Sequence, residues 1–503
     1  MQIPFLGPTY PARSLNIAAD RCINFYPEVG PQDSKGAPNP NGGVIALIGT
    51  PGSVLAFTVA GTVIRGMHVF NNLLYFVAGN TLYSVDSVGT VSSSLGTLAT
   101  SSGRVSIIDN GMSAGLNLIT GQVANQLYIV DGTNAGYIYD ILSSTFTATT
   151  GGRTATFLLG YFITNTPGSR NVISSDSLNG LTFEALAYSS IIDSSDNVQC
   201  VINLNDQLWI IKEFHAQIWT GNGQPTSLSF PFSQIPGTTI DYGTPAPDSV
   251  ARADQALFYV ASARQGDSGK FAGIVMVQGN TPQIISPPAI NYQISQFGDI
   301  SDAFGFCRVH EGHSFYVVTF PSAYPFGNSA LGATFVYDRS TQLWHEWSSY
   351  LQPYQIGRHK ANCYAYFAGK EYFGDFSTGN IYELSSNYYQ DSSEPIVSMR
   401  VCQHQYNSQD LDNIFINRLQ VDMETGVGDL GLLNQTGIDP MSGLSWSNDG
   451  GHTFGNDYLG SIGKVGKYKT RLMWRRLGYA RDRVFKLTIS DPVKKVITGA
   501  FVK

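Results

Sequence analysis

The sequence predicts an all-β protein: a β-propeller of six or seven blades joined to a β-sandwich. Three observations carry that reading. A short phrase with an aromatic at its centre recurs through the middle of the chain. The composition replaces charge with Tyr, Phe, Ser, Thr, Asn and Gly, which favours strands and turns. The C-terminal region alternates apolar and polar side chains with the period of a half-buried strand.

Residues 1–55 are rich in Pro, Gly and Asn and show little periodicity. They read as an extended arm, and the closeness of termini in many domains leads us to expect it to pack with the C-terminal domain. The start, Met1-Gln2-Ile3-Pro4-Phe5-Leu6-Gly7-Pro8, lacks the basic and long apolar regions of a signal peptide. No apolar run approaches the ~18 residues of a membrane span.

Residues 56–390 hold the repeats. The phrase is Asn71-Asn72-Leu73-Leu74-Tyr75-Phe76-Val77, then Ala124-Asn125-Gln126-Leu127-Tyr128-Ile129-Val130. It returns as Leu204-Asn205-Asp206-Gln207-Leu208-Trp209-Ile210-Ile211 and as Ala253-Asp254-Gln255-Ala256-Leu257-Phe258-Tyr259-Val260. Weaker copies begin at Glu311 and Gly369. A second aromatic strand follows a turn later, as in Tyr137-Ile138-Tyr139-Asp140 and Phe335-Val336-Tyr337-Asp338. Turn, strand, turn, strand at roughly 50-residue spacing is the mark of stacked blades, none of which can bury its own face alone. Blade cores centre on Tyr75, Tyr128, Phe162, Trp209, Tyr259, Tyr316 and Tyr372, with insertions expected at 263–271 and 322–332.

Residues 385–395 read as a linker, and residues 391–503 as a second all-β domain. Alternating segments run over 396–403, 414–423, 468–477 and 483–490, as expected of sandwich strands.

Charge is unevenly placed. The net charge is -7, yet residues 464–503 hold twelve Lys/Arg against Asp482 and Asp491, a local balance of +10 beside -17 for the rest. Lys469, Arg471, Arg475, Arg476, Arg481 and Arg483, with Arg13 and Tyr26 from the arm, are the candidate assembly contacts. A basic end and an acidic body suit head-to-tail contact between copies. Five dispersed cysteines argue against a disulfide framework and against zinc.

Other motifs have structural readings. Ser447, Asp449, Gly451 and Phe454 have the Asp-box spacing Ser-x-Asp-x-Gly-x-x-aromatic, a turn-stabilising device that also occurs in sialidases. It raises the alternative of an Asp-box glycosidase or glycan-binding tail protein, but arginines for a sialidase triad are sparse in the repeats. His310-Glu311-Gly312-His313 lacks HExxH spacing, and Gly266-Asp267-Ser268-Gly269 lacks partners for a serine nucleophile. No catalytic residue, metal or cofactor is expected.

Two stretches resemble a known family. Pro4-Phe5-Leu6-Gly7-Pro8-Thr9-Tyr10-Pro11-Ala12-Arg13-Ser14 with Arg21-Cys22-Ile23-Asn24-Phe25-Tyr26-Pro27-Glu28 is similar to the start of the packaged-DNA stabilisation proteins, the tail hub or nozzle of short-tailed bacteriophages (podoviruses). The C-terminal residues 446–454, 466–471, 474–478 and 481–485 resemble tail proteins of the same group. The resemblance implies a structural, non-enzymatic virion protein, assembled in the host bacterial cytoplasm and carried in the tail. It implies a homo-hexameric tube that retains packaged DNA and conducts it on ejection. The implied partners are an adaptor (head-to-tail connector) ring, tail spikes, fibres or a needle, and phage DNA in transient, non-specific contact in the lumen.

Overall fold

The computed structural model describes residues 2–30, 43–59, 63–111, 125–223, 229–265, 268–323, 331–351, 355–407, 409–427 and 435–503. Among these residues the architecture is almost wholly strand, with helix at Pro288–Ser295 and Gln435–Ile438 and one 3-10 turn at Pro247–Ser249.

Seven four-stranded antiparallel blades account for the repeats among the described residues. The innermost strands are Ile64–Phe70, Ser106–Asp109, Ala155–Leu158, Val198–Leu204, Ala251–Ala253, Phe304–His310 and Ala361–Phe367. Each copy of the aromatic phrase forms the second strand of a blade, as in Leu73–Ala78, Gln126–Val130, Gln207–Lys212 and His313–Phe320. The polar pair ahead of it has a local cause. Asn71-Asn72 (φ 47° and 61°), Asn205-Asp206 (50° and 59°) and Glu311-Gly312 (47° and 88°) all take positive φ. Two successive positive-φ residues make the tight hairpin whose twist matches the flanking strands, and Asn, Asp and Gly tolerate it best.

The blades pack pairwise around the ring. Tyr75, Val77 and Leu82 of the first share an apolar cluster with Leu127, Ile129 and Tyr137 of the second. Comparable clusters join the second to the third, the third to the fourth and the fourth to the fifth. Two more carry the contact to the sixth and seventh. The ring shuts where Ile64 and Phe76 meet Cys363, Tyr372 and Ile381 of the seventh blade. That blade takes its outermost strand from the N-terminal side: Gly52–Thr58 pairs antiparallel with Asn380–Ser385. Closure therefore uses backbone hydrogen bonds between segments more than three hundred residues apart, which leaves no gap for the ring to open.

The C-terminal domain is a two-sheet sandwich completed by the arm. One sheet runs Phe25–Val29, Val44–Gly49, Val496–Val502, Arg418–Met423, Leu472–Arg475. The other runs Ala19–Ile23, Ser398–Val401, Asp482–Ile489, Met441–Ser447, Tyr458–Ser461. Ile3, Phe5, Leu6, Cys22, Phe25 and Leu47 of the arm are buried with Leu419, Phe485, Leu487, Ile489 and Ile497 in a single core. The chain changes sheets at Asn24 (φ 54°), whose side-chain amide donates to Ser348 O at 3.0 Å and Val397 O at 2.9 Å.

Propeller and sandwich share a sheet. Leu343–Glu346, the outer strand of the sixth blade, pairs in parallel with Ala19–Ile23 through Ile23 and Glu346. Arg21 forms an ion pair with Glu346, and Thr9 Oγ1 donates to the same carboxylate at 2.7 Å. Arg400 is fully buried; it donates to Phe5 O (2.6 Å), Pro8 O (2.9 Å), Arg21 O (3.3 Å) and Asp20 Oδ1 (3.1 Å). One guanidinium thus fixes the path of the arm.

Local departures from the sequence reading have physical reasons. The segment read as a linker holds two short strands, Gln390–Asp391 and Glu394–Pro395, the first pairing with Ser53 through Asp391. Strand from 468 to 477 is confined to Leu472–Arg475, because Lys467 to Thr470 form turns closed by Thr470 N to Lys467 O. The insertion expected at 263–271 is a long hairpin of Ala256–Gln265 with Ser268–Gln278. Residues 266–267, and 324–330 of the second expected insertion, lie outside the described residues.

Candidate assembly surface

The basic candidates divide into interior and surface groups. Arg483 is buried: it donates to Asn448 Oδ1 (3.1 Å), Leu477 O and Tyr479 O (3.1 Å) and lies 5.4 Å from the Trp446 ring. Tyr26 is also buried, edge-on to His313 and Phe315 at 5.3 and 5.7 Å, between the sandwich and the sixth blade. Both side chains are buried within the chain itself, in contacts that hold the fold. Arg483 shares the parity of Phe485, Leu487 and Ile489, which point into the core, and Phe25, Tyr26 and Pro27 are buried in succession because both faces of their strand are covered.

Lys469, Arg471, Arg475, Arg476, Arg481 and Arg13 are exposed. Arg13 stands apart, 5.7 Å over the Tyr292 ring on the helix beside the fifth blade. Lys469 and Arg471 lie in the turns leading to Leu472–Arg475, an edge strand. In that strand Leu472 and Trp474 point into the core, while Met473 and Arg475 point outward. Arg475 lies directly across from Arg418 on the next strand. Lys503 adjoins the pair, its backbone exchanging hydrogen bonds of 2.9 Å with Arg418. Arg476 (φ 60°) donates its N–H to Asn417 O at 2.8 Å, which turns the chain at the same corner.

None of Arg418, Arg475, Arg476 and Lys503 forms an ion pair among the described residues. Like charges directly opposite on neighbouring strands repel, so the corner carries a penalty that a facing acidic group removes. Beside it Phe415 and Tyr479 pair across two short strands, their rings 5.6 Å apart, and are 77% and 60% exposed. Large aromatics left wet beside unpaired cations are the composition of a protein-binding surface, where aromatic and arginine anchors concentrate binding energy. Arg418, Lys503 and Phe415 escaped the sequence reading, since only strand register brings them beside Arg475.

The Asp-box has the geometry of a turn. Ser447 Oγ donates to Asp449 Oδ1 at 2.5 Å and accepts from Gly451 N at 2.8 Å. Asp449 also accepts from Thr453 N (2.9 Å) and Thr453 Oγ1 (2.5 Å), and the bond from Ser447 first, then those from Thr453, hold its carboxyl well below the usual range. Gly451 has φ 91°, and a Cβ there would come within 2.7 Å of Ala19 Cβ. Phe454 is half-buried against a small cluster of Ala19, Val401 and Val484, with Lys486 Nζ 4.8 Å from its ring. Both carboxylate oxygens of Asp449 are thereby committed to the hairpin.

Around His310 and His313 the side chains form ion pairs. His313 bridges Asp338 (2.7 Å) and Glu28 (2.9 Å), and His310 reaches Glu371 at 3.1 Å. No group of three or more His, Cys, Asp or Glu among the described residues is arranged to hold a metal ion. No helix among them is long and apolar enough to cross a membrane.

Two family models match the chain: Bacteriophage P22 Gp10, beta-propeller, over residues 38–389, and Bacteriophage P22 Gp10, beta-sandwich, over residues 400–503. The chain belongs to the Bacteriophage P22 Gp10 family. It is a structural phage protein of the packaged-DNA stabilisation group, built as propeller and sandwich. No curated protein matches it. Among solved structures it is similar to the computationally designed Ika8 protein, at 10% identity and TM-score 0.36, covering 67% of this chain and 100% of that one. It is also similar to U3-55K, at 9% identity and TM-score 0.39, covering 66% and 99%.

Proposed function

We propose that the protein is the tail hub, or nozzle, of a short-tailed phage. Copies close into a homo-hexameric ring that retains packaged DNA and conducts it during ejection. The observation that supports this most is the wet basic-aromatic corner of Arg418, Arg475, Arg476, Phe415 and Tyr479, on a chain whose family stabilises packaged DNA. Its partner is an acidic face of the next copy, because residues outside 464–503 carry a net -17. Such a contact is heterologous and repeats head to tail until the ring closes. One rim of the ring docks on the adaptor ring, and the other carries spikes, fibres or a needle. An acidic lumen repels phosphates, so DNA passes with only transient contacts. The role is structural, within the virion tail.

Mass photometry and light scattering of the purified chain, alone and with the adaptor ring, test the proposal. A hexamer in either condition is the expected result, and a persistent monomer in both refutes it. Arg475→Glu with Arg476→Glu should weaken the ring at least about tenfold, the effect of turning an attractive pair repulsive. The propeller should keep its far-ultraviolet spectrum. Undiminished assembly of that variant would remove the corner from the interface.

A further inference from the structure

Each propeller blade begins at the same rim, because four antiparallel strands return the chain to the end where it started. The residues leading into the seven innermost strands therefore ring one mouth of the central channel. Going round from the seventh blade, four successive blades bring arginine there: Arg358, Arg65, Arg104 and Arg153. The remaining three bring aspartate: Asp196, Asp248 and Asp302. The mouth is polarised by sequence.

Two of the arginines already hold partners. Arg65 donates to Gly79 O (2.8 Å), Thr100 O (2.7 Å), Ser102 O (2.6 Å) and Gly103 O (2.7 Å), and so shapes the loop that presents Arg104. Arg153 forms an ion pair with Asp248. Asp196 is held by Lys212 at 3.3 Å.

Arg104 and Arg358 differ. Arg104 reaches over the opening, its guanidinium 4.2 Å from the Phe304 ring on the sixth blade and 2.7 Å from Asn362 O on the seventh. Arg358 is 7% exposed and lies 3.7 Å over Phe376 and 5.8 Å from the same Phe304. Phe304 is thus near both guanidiniums, and neither forms an ion pair among the described residues. Asp302 is close by, but its Oδ2 accepts from Ser322 N and Oγ, and its Oδ1 is buried with no hydrogen-bond partner among the described residues. Aromatic faces attract cations without neutralising them, and the carboxylates nearby, Asp248 for Arg104 and Asp302 and Asp375 for Arg358, act on these guanidiniums without forming an ion pair with them. Burial, and next the charge of Arg104, push Arg358 down to about 10.

We infer that the arginine side of this propeller mouth is an oxyanion site, taking a compact phosphate or carboxylate between Arg104 and Arg358 with Arg153 beside them. Guanidinium forks match both groups in shape and charge. Asp248 on Arg153 is the chain's own example of a carboxylate seated there. The site is independent of the hub reading, since it lies within one propeller.

Titration of the full chain with inorganic phosphate by calorimetry, against chloride at matched ionic strength, tests the site. A parallel arm with acetate sorts tetrahedral from planar oxyanions. Saturable binding in either arm is expected, and Arg358→Gln should weaken it at least about tenfold, as losing a charged hydrogen-bonding partner does. The variant breaks no ion pair among the described residues, so its melting curve should be intact or raised. Should it not fold, Arg104→Gln is titrated in its place, with the same tenfold loss expected. No saturable binding in either arm, or equal binding by the variant, would overturn the inference and leave the arginines a structural plug.

Discussion

Arg400→Met is the most informative single change to the fold. The guanidinium is fully buried and supports the arm at Phe5, Pro8, Asp20 and Arg21, so Met fills most of the volume but returns none of the hydrogen bonds. Removing one member of a buried ion pair costs about 3–5 kcal/mol, because the other charge stays behind. Asp20 limits the loss: burial already raises its pKa, so it takes up a proton more readily than an ordinary carboxylate once Arg400 is gone. The three deserted carbonyls add to the cost where water does not reach them. A net loss of about 4 kcal/mol is expected, about a thousandfold in a local opening equilibrium. Hydrogen–deuterium exchange over residues 3–29 reads that equilibrium directly, and the blades supply the unperturbed reference. Asp20→Asn in the Arg400→Met background should recover part of the loss. Exchange slowed or accelerated by less than about tenfold, or no recovery in the double variant, would refute the assignment of the arm's anchorage to this pair.

Four further outcomes follow from the structure. Asn24→Gly keeps the positive φ but loses the bonds to Ser348 and Val397, so it should cost about 1–2 kcal/mol; Asn24→Ala should cost more because it adds backbone strain, and equal urea midpoints would show that strain is absent. Asp449→Ala should loosen the 447–454 hairpin, seen as faster exchange there, while the overall melting temperature moves little; a collapse of the whole sandwich would contradict a purely local role. His313 is raised above its ordinary pKa, first by the hydrogen bond with Asp338, so its contribution is complete below the unfolded value of 6.5 and is lost as pH rises through the folded value; His313→Asn should remove the fall of urea midpoints that begins above pH 6.5, and an unchanged fall would place the titration elsewhere. Burial lowers Lys495 to about 7 from 10.5, so its folded form binds fewer protons and stability should rise with pH between those values; Lys495→Met should abolish that rise, and an unchanged slope would place the titration elsewhere.

The blades were legible because their signal is local. A short apolar strand buried on both faces behind a two-residue positive-φ turn is written in consecutive residues, so Asn71-Asn72 and Asn205-Asp206 announced their hairpins directly. The outermost strand of the seventh blade was not legible. Nothing in Gly52–Thr58 names Asn380–Ser385 as its neighbour, and only closure of the ring makes them meet. The same limit applied to the basic region. Arg483 and Arg475 look alike in sequence, yet one faces the core and the other solvent, because their strands differ in which parity is buried. Arg418 became relevant only through its register with Arg475. The rim arginines were hidden for another reason: each lies at or just ahead of the start of a different innermost strand, and their grouping is a property of the ring rather than of any segment.

The shared sheet bears on how such a protein does its work. A propeller hung on a flexible tether leaves its orientation free, and a ring built through the sandwich then fixes nothing about the blades. Here the sixth blade continues through Leu343–Glu346 into Ala19–Ile23 and on across the sandwich. Glu346 is held by Thr9 and Arg21 at that seam, and Asn24 ties the next corner to Ser348. His313 joins Glu28 of the arm to Asp338 of the blade two strands away. Turning the propeller on the sandwich would break backbone pairing and several buried polar contacts together, not one hinge. In the proposed ring, an association surface at the Arg418–Arg475 corner would therefore set the direction of every propeller, which is the property a load-carrying wall requires. Replacing Glu346 with Gln tests that redundancy: it weakens the seam at Arg21 without touching the corner or the backbone pairing, so the propellers should keep their common orientation in averaged micrographs, and loss of that orientation would show that the seam is a single hinge.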